Sequence, residues 1–419
     1  MNLFTKLEET KVFRDPVHTY IQVEYQIIWD LINTFEFQRL RRISHLGGTK
    51  MVFATSEHSR FTHSLGTYEI VRKIINSVED VRNNTTDEER IVLLIAGLLH
   101  DLGHGPFSHC FESFYNYNHE WYTNKIILEN SDINRVLVQY QENLPMLVAQ
   151  VIDGTHKNPL LKQLISSQID ADRMDYLLRD AHFSGTPYGY FDSDRLLRVM
   201  RVKNNNIVYK SSGINCIENY VLGRFHMYGQ VYYHPVSLGY EAMITLFLRR
   251  MRDLYLEKYQ FNFPIEEIEP FFLDKPCSVN EYVKLDDSII FYYLMRSLNE
   301  KDLILKDLAN RILNRKLFKE HIITKKEEIE IHRNKVIDSI YDIRYYFYID
   351  ETIRNIYKKY GYCNEGSINI LYPNGEIKEL NEASIIVNSL TNNNSFVSTV
   401  VYYPELEGEE QWKQLALKS

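Results

Sequence analysis

Histidine and aspartate side chains that could bind a metal ion are concentrated in one part of the chain. Seven of the 14 histidines lie between residues 45 and 119, and the densest stretch is HDLGHGPFSHCFE, from His100 to Glu112. Imidazole and carboxylate groups together are a ligand set suited to divalent metals. The sequence therefore predicts a divalent metal ion as cofactor, and leaves its identity open among Mg, Mn, Fe, Zn and Ni.

The adjacent pair His100 and Asp101 could instead form only a structural hydrogen bond, which is the usual role of an isolated buried pair. Here the pair ends the apolar run IVLLIAGLL, and three more histidines and an acid follow within 20 residues. Burying so many polar groups costs free energy unless a metal or a substrate binds them. The negative end of a helix dipole also favours a cation at this position. We therefore favour a metal site.

A second group of polar side chains falls on one face of a predicted helix, in the segment QIDADRMDYLLRD at residues 168–180. At about 100° per residue, Asp172, Tyr176 and Asp180 lie within about 80° of one another. Arg173 falls at the edge of the same stripe. A charged run of this kind is usually a solvated face, but the apolar residues interspersed in it favour a packed helix. We expect the stripe to offer carboxylates, a phenol and a cation to one site.

The histidine of the segment RFTHSLG, His63, is a further candidate ligand. With the HD pair and Asp172 it gives the order H…HD…D, which resembles the signature of the HD-domain metal phosphohydrolase superfamily. The chain is more specifically similar to HD-domain deoxynucleoside triphosphate triphosphohydrolases of the Firmicutes type, and more distantly to the vertebrate SAM- and HD-domain enzyme. The segments that carry this similarity, which covers roughly residues 11–310, are KVFRDPVH, FQRLRRISHLGG, HSRFTHSLG, HDLGHGPFSH, DADRMDYLLRD and RFHMYGQVYYHPVS.

The resemblance implies an enzyme that hydrolyses a dNTP to the deoxynucleoside and inorganic triphosphate. The implied metal ligands are His63, His100, Asp101 and Asp172. The implied catalytic residues are His104, His109, Glu112 and His119. In this assignment His109 donates a proton to the leaving 5′ oxygen, and Glu112 orients it. The other two histidines of the catalytic set hold the α-phosphate.

The resemblance also implies a substrate pocket for the base, the sugar and the triphosphate. Its residues are His45, Leu46, Arg60, Arg173, Tyr176, Asp180 and Tyr232. Arg60 would lie over the base, Leu46 beneath the sugar, and Arg173 against the triphosphate. Asp180 would accept a hydrogen bond from the 3′ hydroxyl, and Tyr232 would crowd a 2′ hydroxyl. The histidine at position 45 departs from the family, which has glutamine against the 3′ hydroxyl.

Two further groups of residues resemble the family's sites for activating nucleotides, and imply a homotetramer with dGTP, GTP or dATP as activator. The first group is Lys11, Asn33, Gln38 and Arg41, and the second is Arg195 and Lys210. Asn33 replaces the aspartate that reads the guanine edge in the vertebrate enzyme, and an amide both accepts and donates. We therefore do not expect strict guanine selection. An ordinary solvated surface is the alternative for these basic residues.

The fold that must position these side chains is predicted to be mainly α from the hydrophobic periodicity. The clearest helix begins at a capping box, Thr86 with Glu89, and continues through the apolar run. The segment SINILYPNGEIKEL alternates around Pro373-Asn374-Gly375 and predicts a β-hairpin. Further helical stretches are predicted near 119–130, 159–181, 192–201, 214–230, 238–258, 280–314 and 325–358.

We expect an HD-domain helical core with a smaller C-terminal α+β appendix. The predicted domains are an HD phosphohydrolase core with its N-terminal regulatory segment at 1–240, a helical extension at 241–320 and the C-terminal α+β region at 321–419.

The composition excludes several classes of protein. The 419 residues carry a net charge of −8, which argues against nucleic acid or an anionic membrane as the main partner. The longest wholly apolar stretch, residues 91–99, is about half a membrane span, and the N-terminal sequence lacks the apolar region of a signal peptide. The four cysteines form no C-x-x-C pair, which indicates a reducing compartment. We expect a cytoplasmic protein.

The sequence leaves two other functions open. One is an HD phosphohydrolase that acts on nucleoside monophosphates or cyclic nucleotides. The other is a catalytically weak HD protein that binds nucleotides or nucleic acid. Arg60, Arg173 and Tyr232 around one pocket favour a triphosphate and a deoxyribose, and the complete catalytic set argues against an inactive site.

Overall fold

Helices make up most of the protein, as the periodicity predicts. A computed structural model describes residues 1–115, 117–273, 275–351, 353–354, 367–392, 396–397 and 399–406. The helices of the first half are α1 (Gln26–Ile32), α2 (Phe35–Arg39), α3 (Arg60–Ser77), α4 (Glu79–Asn83), α5 (Asp87–Leu99), α6 (His109–Tyr115), α7 (His119–Leu128), α8 (Asp132–Tyr140), α9 (Leu144–Asp153), α10 (Pro159–Ile165), α11 (Ala171–Ser184) and α12 (Ser193–Val199). The later helices are α13 (Ile214–Met227), α14 (Pro235–Leu256), α15 (Val279–Tyr282), α16 (Asp287–Ser297), α17 (Leu303–Leu313), α18 (Glu327–Ile337), α19 (Ile343–Tyr346), α20 (Leu380–Ala383) and α21 (Ile385–Asn392).

The strands form small sheets at the two ends of the chain and beside the helical core. They are β1 (Lys6–Asp15), β2 (Thr19–Tyr25), β3 (Met200–Lys203), β4 (Asn206–Lys210), β5 (Lys319–Ile323), β6 (Tyr348–Asp350), β7 (Ile353–Arg354), β8 (Asn369–Leu371), β9 (Ile377–Glu379), β10 (Phe396–Val397) and β11 (Thr399–Tyr403). Among the described residues the sheet orders are β1-β2, β3-β4-β8-β9, β5-β11-β6 and β10-β7. The N-terminal hairpin β1–β2 is antiparallel and was not predicted.

Helix α5 forms the centre of the core. The predicted capping box is present, since Thr86 Oγ1 accepts from Glu89 N at 3.1 Å and Glu89 Oε2 accepts from Thr86 N at 2.9 Å. Every residue from Ile91 to Leu99 is buried, and α5 packs against α3 and α9. The helix ends with His100 as its C-cap, so its apolar surface holds the HD pair inside the protein.

Three of the predicted helical stretches each contain more than one helix. The segment 159–181 forms α10 and α11, because Asp170 leaves the helix and caps α11 by accepting from Arg173 N. The segment 280–314 is divided among α15, α16 and α17, with aspartate caps at the starts of the last two. The segment 325–358 includes α18 and α19 and then turns into β6.

The C-terminal region is connected to the core by a shared sheet. The predicted hairpin is confirmed as β8–β9, in which Tyr372 N donates to Glu376 O at 2.9 Å. Strand β8 pairs in parallel with β4, with Ile370 opposite Tyr209. The C-terminal region, which was predicted to begin at residue 321, therefore adds two strands to the sheet that β3 and β4 form in the core. No helix in the described part of the chain is long and apolar enough to cross a membrane.

Candidate active site and metal centre

Four side chains from three helices meet beside one cavity. His63 lies on α3, His100 and Asp101 follow the end of α5, and Asp172 lies in the first turn of α11. His63 Nε2 is 3.0 Å from Asp172 Oδ1 and 3.6 Å from Asp101 Oδ2. His100 Nε2 is 3.4 Å from Asp101 Oδ1 and 3.5 Å from Asp172 Oδ1. The structure thus brings the four predicted metal ligands together.

The two histidines are oriented by the contacts of their other ring nitrogen. His63 Nδ1 lies 2.9 Å from Asp175 Oδ2, and His100 Nδ1 lies 3.0 Å from the carbonyl oxygen of Gly97. A carboxylate and a carbonyl only accept, so Nδ1 carries the proton in each ring and Nε2 faces the other ligands. Both Nε2 atoms are buried, and among the described residues neither makes a hydrogen bond of acceptable geometry, although carboxylate oxygens lie 3.0–3.6 Å away. This donor set fits a divalent cation.

Charge interactions within the cluster are strong because it is buried. Burial lowers the pKa of His63, but the carboxylates of Asp172 and Asp175 outweigh it and raise the pKa to about 10. Burial raises the pKa of Asp101, but His100 and other cations outweigh it and hold that pKa well below its usual range. The carboxylates therefore attract positive charge, and a metal ion competes with protons for the same nitrogen atoms.

A buried ion network behind His63 holds Asp175 in place. Arg179 donates from Nε to Asp175 Oδ2 at 2.8 Å and from Nη2 to Oδ1 at 2.9 Å. Arg179 Nη1 also donates to Asp15 Oδ2 at 2.7 Å, and His18 Nε2 lies 2.6 Å from Asp175 Oδ1. The turn of the β1–β2 hairpin therefore supports a candidate metal ligand, His63. Sequence reasoning assigned no role to these residues, although they lie in segments that carry the family resemblance.

Helices α3 and α11 approach closely enough for these contacts because residue 66 is glycine. A Cβ atom at Gly66 would lie 1.8 Å from Asp175 Oδ1 and 2.4 Å from Arg179 Nη2. Any side chain at this position would therefore displace the carboxylate that orients His63.

Asp180 lies two turns beyond Asp172 on α11 and faces the same cavity. Tyr232 donates its hydroxyl to Asp180 Oδ2 at 2.7 Å, and His58 Nε2 lies 2.8 Å from Oδ1. His45 Nε2 is 3.6 Å from the same Oδ1. Burial and the charge of Asp180 raise the pKa of Tyr232 well above its usual range, so this side chain stays a phenol. The predicted sugar residues are assembled here, and His58 is an additional member that was not predicted.

The two predicted substrate arginines are both paired with carboxylates. Arg60 lines the cavity, with Nη1 2.5 Å from Asp101 Oδ2 and Nε donating to Ser108 Oγ at 3.0 Å. Arg173 pairs with Asp170, the cap of α11, and is absent from the described lining of the cavity. A triphosphate contact at Arg173 would require this side chain to exchange Asp170 for a phosphate.

Three of the four predicted catalytic residues form a connected group. The rings of His104 and His119 stack with centroids 3.9 Å apart. Glu112 Oε1 accepts from His119 N at 3.0 Å and lies 2.5 Å from His119 Nδ1. Burial, reinforced by Arg60, lowers the pKa of His104 well below its usual value. The side chain of His109 lies outside the described residues, so its role as general acid and its pairing with Glu112 stay predictions.

The cavity that the metal centre opens into has a volume of about 620 Å³, which is typical of a small-molecule site. Leu46 and Tyr176, two of the expected substrate residues, line it, and the Tyr176 hydroxyl lies 3.2 Å from that of Tyr228. Strand β6 closes part of the wall, so the C-terminal region contributes to the site. The lining residues that sequence reasoning did not select include Cys110, Glu241, Thr245, Tyr348 and Asp350.

The first group of predicted regulatory residues lies around the N-terminal hairpin. Arg41 Nε donates to Gln38 Oε1 at 2.9 Å, and the Arg41 guanidinium lies 3.5 Å from the ring centroid of Phe61. Phe61 also contacts Phe13, on the strand that carries Lys11, with ring centroids 6.4 Å apart. Asn33 is exposed at the end of α1.

The second group lies beside β4. Arg195 Nη2 donates to the carbonyl oxygen of Ser212 at 3.1 Å, two residues beyond Lys210. A regulatory role for either group stays a prediction.

Comparison with known proteins identifies the family. Residues 60–180 match the model described as HD domain, and residues 191–261 match the model described as HD associated region. YwfO of Bacillus subtilis, an uncharacterized protein, is 45% identical over 96% of this chain and 93% of its own length. The chain belongs to the HD-domain family. The HD model includes the four candidate ligands from His63 to Asp172, and the associated region includes Tyr232 and Glu241.

The names of two other similar proteins refer to phosphate hydrolysis. A phosphohydrolase from Bacteroides thetaiotaomicron has a solved structure with a TM-score of 0.83 and 27% identity, covering 94% of this chain and 100% of that one. A SAMHD1 homologue of Dictyostelium discoideum, named deoxynucleoside triphosphate triphosphohydrolase, is 28% identical over 80% of this chain and 65% of its own length. The protein is thus an HD-domain phosphohydrolase, distantly related to the SAMHD1 enzymes.

Proposed function

We propose that this HD-domain phosphohydrolase hydrolyses dNTPs to a deoxynucleoside and inorganic triphosphate. The observation that carries the proposal is that Asp172 of the metal centre and the Asp180–Tyr232 pair line the same cavity. A carboxylate suits a 3′ hydroxyl, and a buried phenol beside it leaves little room for a 2′ hydroxyl. The names of the SAMHD1 relatives support the same substrate class.

The chemistry divides between the cofactor and the side chains of the chain. A divalent ion held by the four ligands would supply Lewis acidity at the α-phosphate and lower the pKa of a water. His104 and His119 would hold the α-phosphate from the cavity wall. Asp180 and Tyr232 would fix the sugar, which keeps the scissile bond in line with the metal centre. Proton donation by His109 to the 5′ oxygen would contribute about 100- to 10,000-fold.

We also propose that a nucleotide activates the enzyme through assembly into a homotetramer in the cytoplasm. Lys11 and Arg41 offer cations for phosphates, and Asn33 and Gln38 offer amides for a base edge. A ligand at such a site activates only if it binds the active assembly better than the inactive one. We propose dGTP, GTP or dATP as activator, and Arg195 and Lys210 as part of a second regulatory site.

Product analysis tests the proposed reaction. The protein is incubated with each dNTP, alone and in pairs, in the presence of Mg²⁺, Mn²⁺ or Fe²⁺, and the products are separated by anion-exchange chromatography. The expected products are a deoxynucleoside and triphosphate in equal amounts. Release of pyrophosphate or phosphate, or turnover only of monophosphates or cyclic nucleotides, would contradict the proposal and favour another HD phosphohydrolase.

An Asp101→Ala variant is the control for the metal centre. It removes one ligand and the partner of Arg60. We expect elemental analysis to show loss of the bound metal, together with loss of turnover. Full metal occupancy in this variant would contradict the ligand assignment.

A further inference from the structure

Two carboxylates line the part of the cavity formed by α14 and β6, and the reaction described above does not use them. Glu241 lies on α14, and Asp350 ends β6. The two groups are close enough for the charge of Asp350 to affect Glu241, and Tyr348 is close enough to interact with both. This acidic wall would repel a triphosphate, so the phosphates must point away from it.

The Glu241 carboxylate is placed beside the sugar subsite by two glycines. Glu241 Oε1 accepts from Gly48 N at 3.0 Å. A Cβ atom at Gly47 would lie 2.7 Å from the same oxygen, and the φ of Gly47 is +48°, which favours glycine. These glycines directly follow Leu46, the expected floor under the sugar. Leu46, Gly47 and Glu241 line the same cavity, so for a sugar lying on Leu46, as in the proposed function, the base would be directed towards Glu241.

The Glu241 carboxylate can accept further hydrogen bonds. Burial, together with the neighbouring charge of Asp350, raises its pKa to about 7. No lysine or arginine in the described part of the chain forms an ion pair with it, and Gly48 N donates to only one of its two oxygens. A carboxylate accepts at about four positions, and a buried one is stabilised when N–H groups occupy them.

We propose that Glu241 and Asp350 recognise the exocyclic amino group of the base, so that the enzyme prefers dATP, dCTP and dGTP to dTTP. The inference rests on the proposed dNTP hydrolysis. Adenine, cytosine and guanine each carry an amino group that donates to a carboxylate. Thymine has none, and its N–H is flanked by two carbonyl oxygens that a carboxylate repels. A site built to bind a donor discriminates against a ligand that lacks it.

The test is a competition among all four dNTPs in one tube, at a pH well above the pKa of Glu241 so that its carboxyl group is ionised. They are supplied at equal concentration, and the four released deoxynucleosides are separated and counted at early times. The ratio of two rates then equals the ratio of their kcat/KM values, whatever the state of activation or the folded fraction of the protein. We expect thymidine to form about tenfold more slowly than the other three, because a hydrogen bond to a charged group is lost.

The variants Glu241→Gln and Asp350→Asn keep the size of each side chain and remove its charge. We expect the ratio of thymidine formation to formation of the other three deoxynucleosides to move towards one, because an amide also donates to thymine carbonyls. Glu257→Gln, exposed at the end of the same helix, is the matched control and should leave the ratio unchanged. If the rate of thymidine formation approaches the rates of the other three deoxynucleosides in either cavity variant, that carboxylate is responsible for the selection of the base.

The outcomes separate this inference from the proposed function. The inference is overturned if the unmodified protein forms thymidine as fast as the other three deoxynucleosides. It is also overturned if neither cavity variant changes the relative rate of thymidine formation. In both cases the proposed dNTP hydrolysis stands. If no deoxynucleoside appears in any tube, the proposed function fails and the inference falls with it.

Discussion

Replacement of Asp175 by asparagine should weaken metal binding without removing a ligand. The Asp175 carboxylate accepts four contacts: His63 Nδ1 and Arg179 Nε at Oδ2, and His18 Nε2 and Arg179 Nη2 at Oδ1. An amide of the same shape has one accepting oxygen and one donating nitrogen. If the nitrogen faces His63, that ring must carry its proton on Nε2, the atom that binds the metal.

The expected magnitudes follow from these contacts. Loss of a hydrogen-bonded group that orients a metal-binding histidine costs about 10- to 100-fold in metal affinity. Breaking a buried ion pair costs about 3–5 kcal/mol of folding free energy. We expect the lower end of that range, about 3 kcal/mol, because Arg179 keeps its second partner, Asp15, at 2.7 Å.

Asp307→Asn is a matched control for the loss of stability. Asp307 pairs with Arg311 at the same i, i+4 spacing on α17, with Nε to Oδ2 at 2.6 Å, and both side chains are buried. Neither residue lines the cavity in the described structure. Chemical denaturation should show both variants to be destabilised. Chelator competition should show weakened metal binding only in Asp175→Asn, and equal metal affinity in the two variants would refute the reasoning.

Four further predictions concern the other parts of the account. His109→Ala should keep its metal by elemental analysis and lose at least about 100-fold in turnover; near-normal turnover would transfer the acid role to another histidine. Tyr232→Ala should raise hydrolysis of rNTPs relative to dNTPs in a competition assay, and an unmodified enzyme that turns over both equally fast would contradict the steric argument. Arg41→Ala should abolish stimulation of one dNTP by another and shift the protein towards smaller assemblies in sedimentation experiments; unchanged behaviour in both would leave Arg41 an ordinary surface cation. Thr86→Ala should destabilise the protein by about 1 kcal/mol in urea denaturation, because it removes the cap of α5; an effect near zero would show that solvent replaces the cap.

Local spacing predicted much of the arrangement of side chains at the candidate metal centre. Adjacent residues at the end of an apolar helix, such as His100 and Asp101, must lie close together in the interior. Residues four and eight apart on α11, such as Tyr176 and Asp180 relative to Asp172, must share a face. The helix α5, its capping box and the β8–β9 hairpin were predicted for the same reason, because each depends on neighbours in the chain.

Contacts between distant segments could not be predicted in this way. Asp175 lies outside the predicted stripe, and its role depends on the close approach of α3 that Gly66 allows. The hairpin that supplies Asp15 and His18 was missed because most residues of β1 are polar and half-buried or exposed, so they show no clear apolar alternation. Asp350 lines the cavity only because β6, which is distant in sequence from the other lining residues, packs beside it. Tertiary packing decides each of these contacts.

Isotope labelling gives the most direct test of the central claim. The enzyme is allowed to hydrolyse a dNTP in water enriched in oxygen-18, and the products are analysed by mass spectrometry. The account predicts an unlabelled deoxynucleoside and triphosphate that carries one oxygen-18 atom, because water attacks the α-phosphorus and the 5′ oxygen leaves with the sugar. Label in the deoxynucleoside, or a deoxynucleoside monophosphate with pyrophosphate as products, would contradict it.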